Sequence, residues 1–181
     1  MTEIIKNSGG QLRRILIDKY DCSYEDSLTL MRRICEKCPL LEYLSLAFSS
    51  TEEYFVEFER LLKFCQRLKS LLLLYKASAN ERDEPYLYYE NYCDSGKRLS
   101  EVLLKSAPNE LREIRFDKYG FRFSFDTFKS FLENWRGRAS LSIVTSDFLY
   151  NKEEYMSVVE KYKDEGVIKD FKYGIIYFSV N

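Results

Sequence analysis

The chain has 181 residues, of which 45% are hydrophobic, 16% aromatic and 31% charged, so it can bury a sizeable core and is too apolar for intrinsic disorder. Lys and Arg number 28 and Asp and Glu 29, and the net charge of −1 gives no overall field for nucleic acid or an anionic membrane, so neither is expected as a partner. Histidine is absent, which removes the commonest general base, the Ser-His-Asp and Cys-His arrangements and most metal sites. We therefore expect no catalytic residues, no cofactor and no metal.

The amino-terminal stretch MTEIIKNSGG lacks the basic and apolar regions of a signal peptide, and no apolar run is long enough for a membrane helix. Five cysteines form an odd set without an Asn-x-Ser/Thr sequon, which favours reduced thiols; they are Cys22, Cys35, Cys38, Cys65 and Cys93. These features predict a soluble cytoplasmic or nuclear protein.

Four segments have the pattern apolar-x-x-apolar-x-apolar, typical of short strands, and two more continue it more weakly. In chain order they are LRRILI, LEYLSL, LKSLLL and LREIRF, starting at 12, 41, 68 and 111, and the weaker RASLSI and IKDFKY, starting at 138 and 168. The intervals are 29, 27, 43, 27 and 30 residues. Such regular spacing indicates a repeated structural unit.

Helical stripes of apolar residues lie between these strands, for example Phe55, Phe58, Leu62 and Cys65. Ser50 and Asn151 each precede a glutamate by three residues and are predicted N-caps. Helix ends are indicated by Pro39, Pro108, Gly137 and Gly166. A small or apolar residue recurs shortly before four of the strands and is expected to fill the corner between helix and strand; these residues are Cys38, Cys65, Ala107 and Trp135.

This unit of strand, loop and helix resembles the leucine-rich repeat, in particular the long, cysteine-containing kind found in F-box/LRR proteins. The stretches FLENWRGRASLSI, LLKSAPNELREIRF, NSGGQLRRILID and YKDEGVIKDF look like the F-box-like LRR proteins of arbuscular-mycorrhizal fungi. The resemblance implies an α/β solenoid of about five to six repeats across residues 1–181, with parallel strands on the concave side and helices on the convex side.

In that family an F-box binds a Skp1-like adaptor and the repeats present a target for ubiquitination. No segment before residue 12 is long enough for an F-box, so the adaptor is expected only if an F-box lies upstream. TEIIKN looks like the last turn of a preceding helix and KYGIIYFSVN like an uncovered apolar strand. We therefore expect either a piece of a longer protein or a partner at one end.

Several short motifs have a chemical and a structural interpretation. CEKC at 35–38 could be a dithiol or half of a zinc site, but its thiols share one apolar stripe and Cys65 recurs at the same repeat position, which favours burial. DSGKRLS at 94–100 fails the phosphate-loop pattern, and Ser95 is a better candidate for a helix start. DKYDCSYED at 18–26 does not match a calcium loop. FDKYGFRFSFD at 116–126 could stack nucleobases, but a packed aromatic stripe is favoured.

The 43-residue interval predicts a tyrosine-rich insertion at about 76–96. Tyrosine provides large contact area with few rotors, so Tyr86, Tyr88, Tyr89 and Tyr92 are candidates for partner binding. The alternative is a loop that varies freely.

Strand alternation predicts which side chains point away from the core and line the concave face. They are Arg14, Leu16, Asp18, Tyr43, Ser45, Ala47, Ser70, Leu72, Leu74, Glu113, Arg115 and Asp117. The centre of this face is apolar and its rim charged, which suits a protein or peptide partner of unknown identity. The alternative is that the insertion folds back over these residues.

The leading functional hypothesis is thus a non-catalytic recognition module, similar to the target-binding part of an SCF-type ubiquitin ligase subunit. The rival is a free-standing LRR scaffold or decoy without a ubiquitin role. An enzyme comes third.

Overall fold

The structure, a computed structural model, describes residues 2–17, 24–75, 88–116 and 121–174. It is an α/β fold, as expected, with helices alternating with the strands of a six-stranded parallel sheet. The strands are β1 Arg14–Ile15, β2 Tyr43–Phe48, β3 Ser70–Tyr75, β4 Glu113–Phe116, β5 Leu141–Thr145 and β6 Ile168–Tyr173. The helices are α1 Thr2–Asn7, α2 Tyr24–Lys37, α3 Glu52–Phe64, α4 Tyr88–Ser106, α5 Phe125–Asn134 and α6 Glu153–Asp164, with a 3₁₀ helix at Phe148–Asn151 before α6.

The strand order in the sheet is the chain order, β1 to β6, and every neighbouring pair is parallel. Tyr43 pairs with Ser70, and Ser70 with Glu113, as the alignment of the first four patterned segments predicts. Consecutive strands also join the sheet through the same backbone contact: the N–H groups of Tyr43, Ser70 and Glu113 donate to Arg13, Glu42 and Lys69 of the preceding strand segment, over 3.0 to 3.1 Å.

The sequence pattern aligns the fifth segment, which starts at residue 138, two residues too early relative to β4. Ile143, and not Leu141, lies opposite Ile114, and Ile143 in turn pairs with Phe171. A shift of two residues keeps every side chain on the same face of the sheet, so the apolar pattern cannot detect it. Leu141, Ile143 and Thr145 are all buried, which makes the two alignments equivalent by hydrophobicity alone.

The four predicted corner residues occupy the same structural position. Cys38, Cys65, Ala107 and Trp135 are buried, and each N–H donates to the carbonyl four residues earlier, over 2.8 to 3.0 Å, extending the hydrogen bonding of the preceding helix by one residue. The corner therefore accepts side chains of very different size while the backbone path stays the same.

Helix ends agree with the sequence signals better than helix starts. Gly137 and Gly166 have φ of +78° and +75°, in the left-handed region that follows a helix end. The predicted N-caps Ser50 and Asn151 are displaced by one residue, because the cap positions are Thr51 and Lys152, neither of which makes a side-chain capping hydrogen bond. Ser124, which was not predicted, caps α5 by accepting from the N–H of Thr127 at 3.2 Å.

Ser95 does not start a helix, since α4 already begins at Tyr88. Gly96 therefore lies inside α4, where it is buried against the segment that precedes α5. A Cβ at this position would come within 2.1 Å of the carbonyl oxygen of Arg122. The glycine of DSGKRLS is thus explained by a close backbone approach rather than by a phosphate.

Aromatic residues fill the core where the chain enters α5. Phe121 packs edge-on against Phe48, with ring centroids 5.2 Å apart, and Phe123 against Phe116 at 5.7 Å. Phe121 and Phe123 are buried and Phe125 is partly buried against the same core, so the described part of FDKYGFRFSFD packs as the stripe interpretation predicts. None of the helices in the described part of the chain is long and apolar enough to cross a membrane.

Candidate functional site

The sheet has one face covered by the main core and a second face, here called the far face, formed by the alternate side chains of each strand. The strand register places far-face side chains in two rows. Row one contains Arg14, Tyr43, Ser70, Glu113, Ser142 and Asp170. Row two contains Ser45, Leu72, Arg115, Val144 and Lys172.

The middle of the far face, on β2 and β3, is shielded from water. Ser45 and Leu72 are 1% and 3% exposed, and Leu72 packs with Leu74 in a cluster separate from the main core. The Ser45 hydroxyl donates to the carbonyl of Ile17 at 2.7 Å, which satisfies its hydrogen-bonding need inside this region. The predicted apolar centre is therefore buried in the structure.

The β1 end of the far face is accessible. The guanidinium of exposed Arg14 lies over the ring of half-buried Tyr43, 4.6 Å from its centroid, in cation–π geometry. Leu16, just after β1, is 38% exposed. This end therefore presents a cation, an aromatic ring and an apolar side chain side by side.

The β4–β6 end of the far face is accessible and charged. Glu113 accepts hydrogen bonds from the Ser70 hydroxyl at 2.5 Å and from Arg115 Nη2 at 2.9 Å. Burial alone would raise the pKa of Glu113, but the bonds from Arg115 and Ser70 and the attraction of Arg115 and Lys172 lower it overall. The carboxylate is thus held in its ionised form.

Asp170 and Lys172 form a second charged pair on β6, with Lys172 Nζ 2.7 Å from Asp170 Oδ2. The hydrogen bond from Lys172 lowers the pKa of Asp170. Half-exposed Ser142 and Val144 on β5 lie between this pair and the Glu113–Arg115 pair. The far face of β4–β6 therefore carries two ion pairs separated by an uncharged strand.

The register brings most of the predicted concave-face residues together in the two rows. Asp18 and Asp117 of that prediction, and Tyr86 of the predicted insertion, lie outside the residues that the structure describes. The backbones of Tyr88, Tyr89 and Tyr92 belong to the start of α4, and their side chains lie outside the described part. Their roles in partner binding stay predictions.

Sequence reasoning missed four far-face residues, Ser142, Val144, Asp170 and Lys172. The sequence could have predicted the two β6 residues, because strand alternation in the segment starting at 168 places Asp170 and Lys172 on the far face. For β5, the two-residue error in alignment leaves Ser142 and Val144 on the correct face but assigns them to the wrong row.

The thiols of the CEKC motif are buried and free, as is that of Cys65. Burial raises the pKa of Cys35 to about 11 and that of Cys65 to about 12, and also raises the pKa of Cys38. The thiolate is the reactive and metal-binding form, so these groups are poorly suited to either task. All three thiols are buried, as the structural interpretation predicts. Among the described residues, no group of three or more potential metal ligands occurs.

A buried ion pair lies near the carboxyl ends of β4 and β5. Asp147, which is fully buried, binds Arg122 through two hydrogen bonds of 2.7 and 3.1 Å and accepts a third from the N–H of Leu149 at 3.0 Å. Next to it, the hydroxyl of buried Tyr150 accepts from the N–H of Phe123 at 2.8 Å. The bonds of Arg122 and Phe123 connect the segment before α5 to the loop after β5, and the bond from Leu149 closes that loop, which indicates a structural role.

A search of protein-family models finds no match to this chain, and a search of curated proteins finds no significant one.

Proposed function

We propose that this chain is a leucine-rich-repeat solenoid that acts as a non-catalytic protein-recognition module and contacts its partner through the accessible ends of the far face. Support for the repeat assignment comes from the parallel strands in chain order, the recurring corner residue and the shared backbone contact at successive strand starts. The observation that carries the functional proposal is the strand register, which lines up far-face side chains in one row of six strands and a second row of five.

The spacing of these rows suits an extended polypeptide. Neighbouring strands lie about 4.8 Å apart, so a partner segment that crosses the accessible strands β4 to β6 meets a new side chain at each strand. On β4 to β6 the groups it meets are Arg115, Val144 and Lys172 along one row, and the carboxylates of Glu113 and Asp170 with Ser142 between them along the other. A partner segment with both charges and a small apolar residue complements this arrangement.

The ubiquitin connection is part of the proposal and comes from the family resemblance alone. A solenoid that recognises a target is compatible both with a ligase subunit and with a free-standing scaffold. Recovery of a Skp1-like adaptor with the full-length gene product would favour the ligase subunit, and its consistent absence would favour the scaffold.

The experiment is affinity capture from an extract of the source cells with wild-type protein and with a far-face double variant, Arg14→Glu and Lys172→Glu. Both side chains are exposed, and Lys172 is 69% exposed, so the variant should fold normally. A matched control, Lys97→Glu and Lys152→Glu, makes the same charge change at exposed positions in α4 and before α6.

We expect the wild type and the control variant to capture the same proteins and the far-face variant not to capture them. The wild type and both variants should have similar melting temperatures. Equal capture by all three proteins would refute the choice of the far face. Loss with both variants would point to net charge rather than a specific surface.

A further inference from the structure

Charge on the described surface is divided between two edges of the sheet, although the whole chain is nearly neutral. The amino ends of parallel strands meet at one edge, here called the amino edge, together with the carboxyl ends of the helices that precede them. Basic side chains recur there before or at the start of successive strands: Arg13, Lys37, Arg67, Lys69, Arg112, Arg138 and Lys169.

The opposite edge carries mainly carboxylates at the helix starts: Asp26, Glu52, Glu53, Asp126, Glu153 and Glu154. Acidic residues at helix starts and basic residues at helix ends both complement the helix dipole. Part of the charge separation is therefore explained by the helices themselves.

Some of the cations at the amino edge are used by the fold. Glu42 is held between Arg13 at 2.8 Å and Lys69 at 2.9 Å, and the hydrogen bond from Lys69 is the main reason for its lowered pKa. Arg138 donates to the carbonyls of Leu104 and Ala107, near the end of α4. These cations are satisfied within the molecule.

Three other cations at this edge make no strong ion pair within the described part of the chain. Exposed Lys37 and Arg67 have no carboxylate partner among the described residues. Arg112, 64% exposed, has its nearest carboxylate, Glu110, 3.6 Å away, and such an exposed pair contributes little. The three precede β2, β3 and β4, which are neighbours in the sheet, and Phe64, 37% exposed, lies three residues before Arg67 at the end of α3.

We propose that the amino edge binds an extended acidic polypeptide segment, as a second contact surface in addition to the far face. The three cations span about 10 Å, two strand steps of about 4.8 Å, and the whole edge of six strands spans about 24 Å, the length of about seven or eight extended residues. Exposed Phe64 offers an apolar contact next to the cations, which suits a peptide that carries side chains.

A continuous polyanion fits this edge less well than a peptide. Exposed carboxylates of Glu36, Glu110 and Glu133 interrupt the line of cations. A nucleic acid or an anionic bilayer presents closely spaced charge and would meet these carboxylates, whereas a peptide can place its acids between them.

The test is fluorescence anisotropy with a labelled peptide of about eight residues that alternates Glu and Gly, in about 50 mM and about 200 mM salt. A Gln-Gly peptide of the same length, a single-stranded oligonucleotide and vesicles of phosphatidylserine and phosphatidylcholine serve as competing probes. The variant is Lys37→Gln, Arg67→Gln and Arg112→Gln. The control, Lys97→Gln, Lys129→Gln and Lys152→Gln, removes the same charge from exposed lysines elsewhere.

We expect the Glu-Gly peptide to bind at low salt, the Gln-Gly peptide not to bind, and the edge variant to weaken binding about tenfold, since three exposed charge contacts each contribute a fraction of a kcal/mol. The control should bind like the wild type. No binding of the Glu-Gly peptide, equal weakening by the control, or tighter binding of the oligonucleotide or the vesicles would overturn the proposal. The far-face variant Arg14→Glu and Lys172→Glu separates this result from the proposed function, because its capture defect does not depend on the residues changed at the amino edge.

Discussion

The two parts of the far face, β2–β3 and β4–β6, show how one repeated backbone can serve two purposes. On β2 and β3 the sheet is buried on both faces, with Ser45 and Leu72 almost fully shielded. On β4 and β5 only the core face is buried, and the far face of β4 to β6 carries half-exposed or exposed charges such as Arg115 and Lys172. Strands buried on both faces contribute stability, whereas strands buried on one face leave side chains available for recognition.

The two regions are also held together differently. The corners before β2 and β3 are closed by the thiols of Cys38 and Cys65, with the Cys65 thiol donating to the Cys38 carbonyl at 3.7 Å. The later region depends on the ion pair of Asp147 and Arg122 and on packed aromatic rings.

Replacing Asp147 with alanine should destabilise the protein by about 3 kcal/mol, because it removes a fully buried carboxylate that binds Arg122 and the N–H of Leu149. Chemical denaturation measures the effect. Arg136→Ala, which removes ion pairs with Glu133 and Glu165 whose side chains are partly exposed, should cost clearly less than Asp147→Ala. Similar losses in the two variants would show that the buried pair has no special structural weight.

Replacing Gly96 with alanine should destabilise the protein by about 2 to 3 kcal/mol, because the new Cβ would meet the carbonyl oxygen of Arg122. The direction of the change in unfolding free energy is informative, because the same substitution inside an unhindered helix stabilises a protein by about 1 kcal/mol. Lys97→Ala, at the exposed neighbouring position, should change the free energy of unfolding by less than about 0.5 kcal/mol. A gain in stability for Gly96→Ala would rule out the close approach of α4 to the segment before α5.

Truncation on the two parts of the far face should have unequal effects. Leu72→Ala should cost about 2 to 3 kcal/mol, since Leu72 is 3% exposed. Val144→Ala, at a half-exposed site in the same row, should cost less than about 1 kcal/mol. Equal losses in denaturation experiments would remove the distinction between the buried and the accessible parts.

The smallest effect concerns pH and the joint between α3 and α4. Hydrogen bonds from Lys63 and Lys105 lower the pKa of Glu59 to about 2, from an ordinary value of 4.5. Because the folded-state pKa is depressed, this contribution is complete above pH 4.5 and is lost as the pH falls towards 2. Glu59→Gln should therefore lose less stability than the wild type over this range in acid titrations followed by circular dichroism. An identical acid profile in the two proteins would contradict the role of Glu59.

The sequence predicted the strands, the corners and the core face because apolar periodicity reports directly on burial. It did not predict the row of the β5 residues, since a two-residue shift leaves burial unchanged, as Leu141 and Ile143 show. It left open whether Leu72 and Leu74 are shielded, because strand alternation gives the face of a side chain and not what lies against it.

The rows of the far face depend on the pairing of β4 with β5, and nuclear Overhauser effects across these strands test it most directly. We predict contacts that place Ser142 beside Glu113 and Val144 beside Arg115, which continues both rows to β6. Contacts that place Ser140 beside Glu113, or none between these two strands, would contradict a recognition surface built from six aligned strands.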